Sequence, residues 1–173
     1  MLDLSRIESV KIKYQFAEND FSELVLSVLE ELGAAAKKRG AGLILEEKAD
    51  LPKFVFDRDK IREVMINLID NALKYSPRGG KILIREEVVS RSGKKFLRFS
   101  VQDQGIGIAP EDLGKLFTKF SRTPESQKID PGGMGIGLYF VKMVVEDHGG
   151  LVGAESQGMG KGSTFFVELP LKN

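Results

Sequence analysis

Residues 57–75 constrain the fold most. Apolar residues fall at Ile61, Val64, Met65, Leu68, Ile69, Ala72 and Leu73. Steps of three and four residues gather them on one stripe of a helix, which a second layer must cover. Pro77, Gly79 and Gly80 end the helix. Residues 81–89 and 95–102 are β-rich, joined through residues 90–94 with Gly93 in the turn, and residues 151–156 and 163–169 form a second antiparallel pair. No regular β-α-β repeat recurs, which disfavours a doubly wound sheet. The order predicts an α/β two-layer sandwich, in which helices cover one face of a mixed, largely antiparallel sheet.

Further elements fit this plan. Asp20 and Ser22 offer caps to a helix running to about Arg39, with Leu24, Val25, Val28, Leu29 and Leu32 on its apolar stripe and Gly40 and Gly42 after it. Residues 43–48 and 53–56 are short strands, and residues 14–19 offer an edge strand. A short helix is expected over 111–120 and a longer one from Gly135 to about Asp147, ended by Gly149 and Gly150. Leu2, Leu4, Ile7, Val10 and Ile12 give residues 2–13 a helical pattern.

Composition narrows the function. With 26 Lys and Arg against 25 Asp and Glu, no broad basic field exists to attract nucleic acid or a membrane surface. There are no cysteines, so disulfides, thiol nucleophiles and thiolate metal clusters are excluded. Apolar runs fall well short of the roughly 20 residues of a spanning helix, so no direct membrane contact is expected. Glycine is enriched, at 19 residues, and clusters at 105–107, 132–137 and 158–162. Such clusters let backbone approach a ligand, although ordinary turns need some of them.

Three groups of residues carry candidate chemistry. Asn67, Asn71 and Lys74 share one side of the 57–75 helix. A carboxamide oxygen can coordinate Mg²⁺ without adding negative charge, and an ammonium can neutralise phosphate. A solvated helix face presents the same pattern. Asp103 ends a strand and enters Asp103-Gln104-Gly105-Ile106-Gly107, where its carboxylate can accept an amino proton from a base; a capped turn explains it equally well. Gly133-Met134-Gly135-Ile136-Gly137-Leu138 leads into a helix whose first amides can bind phosphate oxygens. It has neither the dinucleotide nor the P-loop spacing. Gly160-Lys161-Gly162-Ser163-Thr164 precedes a strand and lacks the upstream glycine of a P-loop, leaving Thr164 as a polar contact to a base or a plain hairpin residue.

Taken in order, these segments resemble the nucleotide-binding boxes of sensor histidine kinases. Residues 67–76 are similar to the N box, 103–107 to the first glycine box, and Leu116-Phe117-Thr118-Lys119-Phe120 to the phenylalanine box. Residues 133–138 and 160–164 resemble the remaining glycine boxes. The resemblance implies the Bergerat-type sandwich, with ATP and Mg²⁺ as ligands. It implies that Asn71 coordinates the metal, Asn67 lies in the phosphate–metal region, Lys74 approaches phosphate, Tyr75 flanks the nucleoside and Asp103 reads adenine. Gly105 and Gly107 would approach the base. Backbone at Gly133, Gly135, Ile136, Gly137 and Leu138 would embrace phosphates, and Thr164 would touch the base. Residues from about 105 to 134 would form a lid bringing Lys119 and Arg122 toward the terminal phosphate. Phe117 and Phe120 would seat the lid or pack locally. Met134 departs from the small polar residue common there.

His148, the only histidine, precedes Gly149-Gly150 at a helix end, where an imidazole can cap carbonyls. The resemblance puts it outside the phosphoacceptor motif. It also makes residues 1–13 the end of a dimerisation helix and residues 14–173 the catalytic domain. The substrate histidine is then expected upstream, so this segment binds Mg·ATP without autophosphorylating alone. The partners implied are the dimerisation and histidine-phosphotransfer domain, a response-regulator receiver domain and a sensor domain upstream. The implied location is the cytoplasm.

Overall fold

A computed structural model describes residues 11–172. The pattern read over residues 2–13 therefore lies mostly outside the described residues; residues 11–16 have no regular secondary structure. Strand β1 (Ala17–Asn19) leads to α1 (Phe21–Lys38), β2 (Gly42–Glu47), β3 (Phe54–Phe56) and α2 (Arg58–Tyr75). Then come β4 (Lys81–Arg91), β5 (Lys94–Asp103), a 3₁₀ turn at Pro110–Lys115 and α3 (Pro124–Ile129). Helix α4 (Gly137–Asp147), β6 (Leu151–Glu155) and β7 (Ser163–Pro170) complete the order.

The main sheet runs β2-β4-β5-β7-β6, with β2 parallel to β4 and every other pair antiparallel. Helices α1, α2 and α4 cover one face, as the expected sandwich requires. Period-two alternation sends Leu97, Phe99 and Val101 of β5, and Phe165, Val167 and Leu169 of β7, into the core. They meet Ile61, Val64, Leu68 and Ala72 of α2 and Val141, Val144 and Val145 of α4. At the α1 end, the rings of Phe21, Phe54, Phe56 and Phe99 lie 4.9–6.0 Å apart. On the uncovered face, Glu168 is sealed beneath Arg91 and Arg98, whose guanidinium nitrogens approach to 2.6 and 3.1 Å and hold its carboxyl below the usual range.

Local structure differs from expectation in four places. The β4–β5 turn is two residues, Ser92 and Gly93, both at positive φ, a primed turn that matches strand twist. The short helix expected over 111–120 is a 3₁₀ turn ending at Lys115, and a capped helix follows at 124–129 with Thr123 accepting from the Ser126 amide. Strand β1 joins β3 in a separate two-stranded sheet instead of the main sheet's edge. Ser22 lies inside α1, while Asp20 alone caps it, accepting from Glu23 N.

Ser22 has another task. Its hydroxyl lies 3.2 Å from an oxygen of Glu86, which β4 directs into the core, while the other carboxyl oxygen has no partner among the described residues. Burial pushes the Glu86 acid above the usual carboxylate range. With the folded value raised, stability falls as pH climbs from the unfolded value to the folded one. Glu86→Gln is therefore expected to raise the melting midpoint by a few degrees at pH 7.5 and by less at pH 4.5, read by thermal denaturation at both values. An equal or negative shift at pH 7.5 contradicts this.

Candidate nucleotide-binding site

Helix α2 is fixed at its start by Asp57, whose carboxylate accepts from the amides of Lys60 (2.9 Å) and Gln15 (2.7 Å). Its buried stripe faces the sheet, leaving Asn67, Asn71 and Lys74 along the wall of a cavity of about 340 Å³. Asn67 Nδ2 donates to Glu63 O at 2.9 Å, one turn back, which leaves its oxygen turned to the start of α4. A β-carbon at Gly137 would lie 2.8 Å from that oxygen, so any larger residue there would push the Asn67 carboxamide aside.

Asp103, at the end of β5, is buried in the same cavity. One carboxylate oxygen accepts from the Gly105 amide at 2.8 Å and the Ser163 amide at 3.3 Å; the other accepts from the Ser163 hydroxyl at 2.9 Å. Burial pushes its pKa up while these three donors pull it back, leaving it above the ordinary value. The adjoining loops are laced by backbone. Gly160 N donates to Ile106 O at 2.7 Å, Gly162 N to Gly105 O at 3.2 Å and Ile106 N to Tyr75 O at 3.3 Å. A β-carbon at Gly105 would stand 2.1 Å from Tyr75 O, so the first glycine cluster seats against the end of α2.

The cavity's other wall comes from residues 106–138. Phe120 N donates to Gly135 O at 3.1 Å, tying the phenylalanine-bearing segment to the second glycine cluster. Arg122 donates to the carbonyls of Ser126, Asp130 and Gly133, folding α3 and the following turn into one unit. Lys74 Nζ lies 3.5 Å from carboxylate oxygens of both Asp70 and Asp130.

Asn67, Asn71, Lys74, Tyr75, Asp103, Gly107, Arg122, Gly133, Gly135, Ile136, Gly137 and Leu138 thus line one cavity. Gly105 stands behind the lining as backbone support. Lys119 lies outside it, with its ammonium 5.5 Å from the centre of the Tyr139 ring. Thr164 also lies outside, paired across strands with Gln102 and Glu155, while Ser163 and Phe165 face the cavity. The apolar alternation of Phe165, Val167 and Leu169 carries that signal, because it turns Ser163 inward and Thr164 outward. Sequence reasoning also missed Asp70 and Asp130, two acids at the cavity's cationic end. Phe117 packs against Phe165 at 6.2 Å, whereas Phe120 and Met134 are exposed apolar residues.

Below the cavity, α4 ends on His148. Its Nε2 accepts from the Asp57 amide at 3.0 Å and its Nδ1 donates to Val144 O at 2.8 Å, which makes it a buried neutral imidazole. Burial lowers its pKa. Tyr14 and Phe16 pack against the ring, and the Tyr14 hydroxyl donates to Asp147 at 2.6 Å. Among the described residues, no helix is long and apolar enough to cross a membrane, and no cluster of three metal-binding side chains occurs.

Comparison with known proteins gives one answer. A family model described as histidine kinase-, DNA gyrase B- and HSP90-like ATPase matches residues 56–173. The sensor protein RprX of Bacteroides fragilis is 32% identical over 171 residues, covering 99% of this chain and 32% of RprX. The chain spans less than half the length of the curated relatives it matches. The crystal structure of full-length ShkA in complex with AMPPNP superposes with a TM-score of 0.80 at 27% identity, covering 98% of this chain and 34% of ShkA. Histidine kinase ThkA, in complex with response regulator protein TrrA, superposes with a TM-score of 0.73 at 26% identity, covering 91% of this chain and 42% of ThkA. The chain belongs to the family of histidine kinase-, DNA gyrase B- and HSP90-like ATPases, and within it is the ATP-binding catalytic domain of a sensor histidine kinase.

Proposed function

We propose that this domain binds Mg·ATP in the cavity between α2 and the glycine-rich wall and supplies the γ-phosphoryl group to a histidine on a dimerisation domain. The observation that carries this reading is the placement of Asn67, Asn71 and Lys74 opposite Gly133–Leu138 backbone, with the Asp103 acceptor in the same cavity. The donor set fits: carboxamide oxygens for a hard cation, an ammonium for phosphate and a buried carboxylate for an amino group. The likeness to ShkA, solved in complex with AMPPNP, supports the ligand class.

Asn71 holds the metal, Asn67 sits where metal and phosphate meet, and Lys74 neutralises phosphate. Tyr75 flanks the nucleoside, and the amides near Gly135 and Gly137 steady the phosphates at the start of α4. Mg²⁺, when bound, draws charge from the phosphate oxygens. The chain's contribution is positioning and electrostatic preorganisation. Residues from about 105 to 134 act as the lid, with Arg122 entering from it and Lys119 approaching from just outside the lining. Residues 14–173 are the catalytic domain; the dimerisation helix expected before them lies outside the described residues except at 11–13, which are not helical.

The acceptor histidine belongs to the dimerisation and histidine-phosphotransfer domain, and a receiver domain takes the phosphoryl group next. The structure of ThkA with TrrA supports the latter partner. A sensor domain governs the whole protein, and the catalytic domain works in the cytoplasm.

The test supplies a cognate dimerisation domain and γ-labelled ATP and looks for acid-labile, base-stable phosphate on that partner. ATP binding without transfer to any histidine, together with phosphorylation of serine, overturns the proposal. Asn71→Ala is expected to weaken Mg²⁺-dependent ATP binding about tenfold, consistent with loss of one charge-assisted contact. Unchanged Mg²⁺ dependence in a calorimetric titration rejects the assigned role.

A further inference from the structure

We infer that Asp130 sets nucleotide affinity from the lid by competing with phosphate for Lys74, an inference that rests on reading the cavity as a Mg·ATP site. Two carboxylates meet the Lys74 ammonium, each at 3.5 Å. They differ in what they tether. Asp70 stands one turn earlier on α2, so its ion pair stays within that helix and restrains nothing else. Asp130 follows α3, so its ion pair fastens the lid segment to α2 across the mouth of the phosphate end.

Arg122 makes that fastening act on more than one residue. Its guanidinium donates to carbonyls at Ser126, Asp130 and Gly133, and the Asp130 amide donates back to Ser126 O at 2.9 Å. The short helix and the turn into the second glycine cluster therefore move as a unit, with the Asp130 carboxylate on its inner side. Carboxylate and phosphate oxygens bind an ammonium by the same charge-assisted bonds. A phosphate arriving at Lys74 must displace Asp130 or share the lysine with two acids. An adenosine without phosphates has no such competitor.

Lys74 and Asp130 are 38% and 31% exposed, so solvent screens the pair and its effect is modest, about two- to fivefold in affinity. Asp130→Asn and Asp70→Asn are compared with the wild-type protein in calorimetric titrations with adenosine, ADP and ATP in Mg²⁺. Amide exchange of residues 120–134 is followed without nucleotide. Asp130→Asn is expected to tighten ADP and ATP about two- to fivefold, leave adenosine unchanged and speed exchange across 120–134. Asp70→Asn is expected to tighten the phosphorylated ligands without altering that exchange. ATP affinity that stays level or weakens in Asp130→Asn overturns the inference. So does tightening with unchanged exchange, since Asp130 then acts only as a distant charge. Wild-type protein that binds none of the three ligands refutes the Mg·ATP reading itself, and this inference with it.

Discussion

Asp103→Asn is expected to lower ATP affinity about a hundredfold while leaving the fold intact. The buried carboxylate is the acceptor proposed for the adenine amino group. An asparagine turned so that its carbonyl oxygen still accepts from the Gly105 and Ser163 amides presents an NH₂ where the free acceptor stood. Donor then faces donor in a closed site, a mismatch far larger than a missing contact at a surface. The Ser163 hydroxyl can reverse to accept from that NH₂, so the protein's own network survives. Titration with ATP, paired with a thermal melt, separates the two effects; an affinity within threefold of wild type sinks the assignment. A pH profile adds an independent reading. Because burial raises the Asp103 pKa, wild-type binding should weaken on the acid side beginning above the usual carboxylate range. The asparagine variant should lose that limb.

The second large effect concerns stability. His148→Leu removes an acceptor from the buried Asp57 amide and a donor from Val144 O, and loses the ring against which Tyr14 and Phe16 pack. Stranding a buried backbone donor and breaking two hydrogen bonds is expected to destabilise the domain by about 3 kcal/mol, measured by urea denaturation at pH 7.5. The pH dependence identifies the cause. The folded pKa is depressed, so the unfolded chain binds the extra proton first as pH falls below the unfolded value near 6.5. The wild-type protein should lose stability on acidification through that window, and the leucine variant should lose less. A loss under 1 kcal/mol at pH 7.5 excludes the clasp as a major support.

The fold was legible where patterns were long. Eighteen residues of α2 repeat their apolar spacing often enough to fix a helix and a covered face, and the β4–β5 and β6–β7 pairs lie close in sequence. Short or distant relations were not. Helix α3 has six residues, too few for a period, and only its Thr123 cap and Pro124 mark it. Strand β1 finds β3 across a long stretch of chain, pairing Ala17 with Phe56 and Asn19 with Phe54. The candidate site showed the same division. Asn67, Asn71 and Lys74 share a helix face that spacing alone defines, whereas whether Ser163 or Thr164 turns inward depends on sheet register. The Asp130–Lys74 contact depends on how the segment around α3 folds over α2, which no local pattern encodes.

The clasp between His148 and Asp57 also ties together, far from the cavity, the two helices that flank it. Asp57 caps the beginning of α2 and His148 the end of α4, while Asn67 and Gly137 stand where the same helices line the cavity. The pair is thus built like tweezers, pinned far from the tips. At 1.5 Å per residue the arms measure roughly 15 Å from pin to tip, so parting the tips by about 1 Å needs a rotation of only about 4°. Tyr14 and Phe16 rest on that pin, so the segment carrying them and the two helices flanking the cavity share one support.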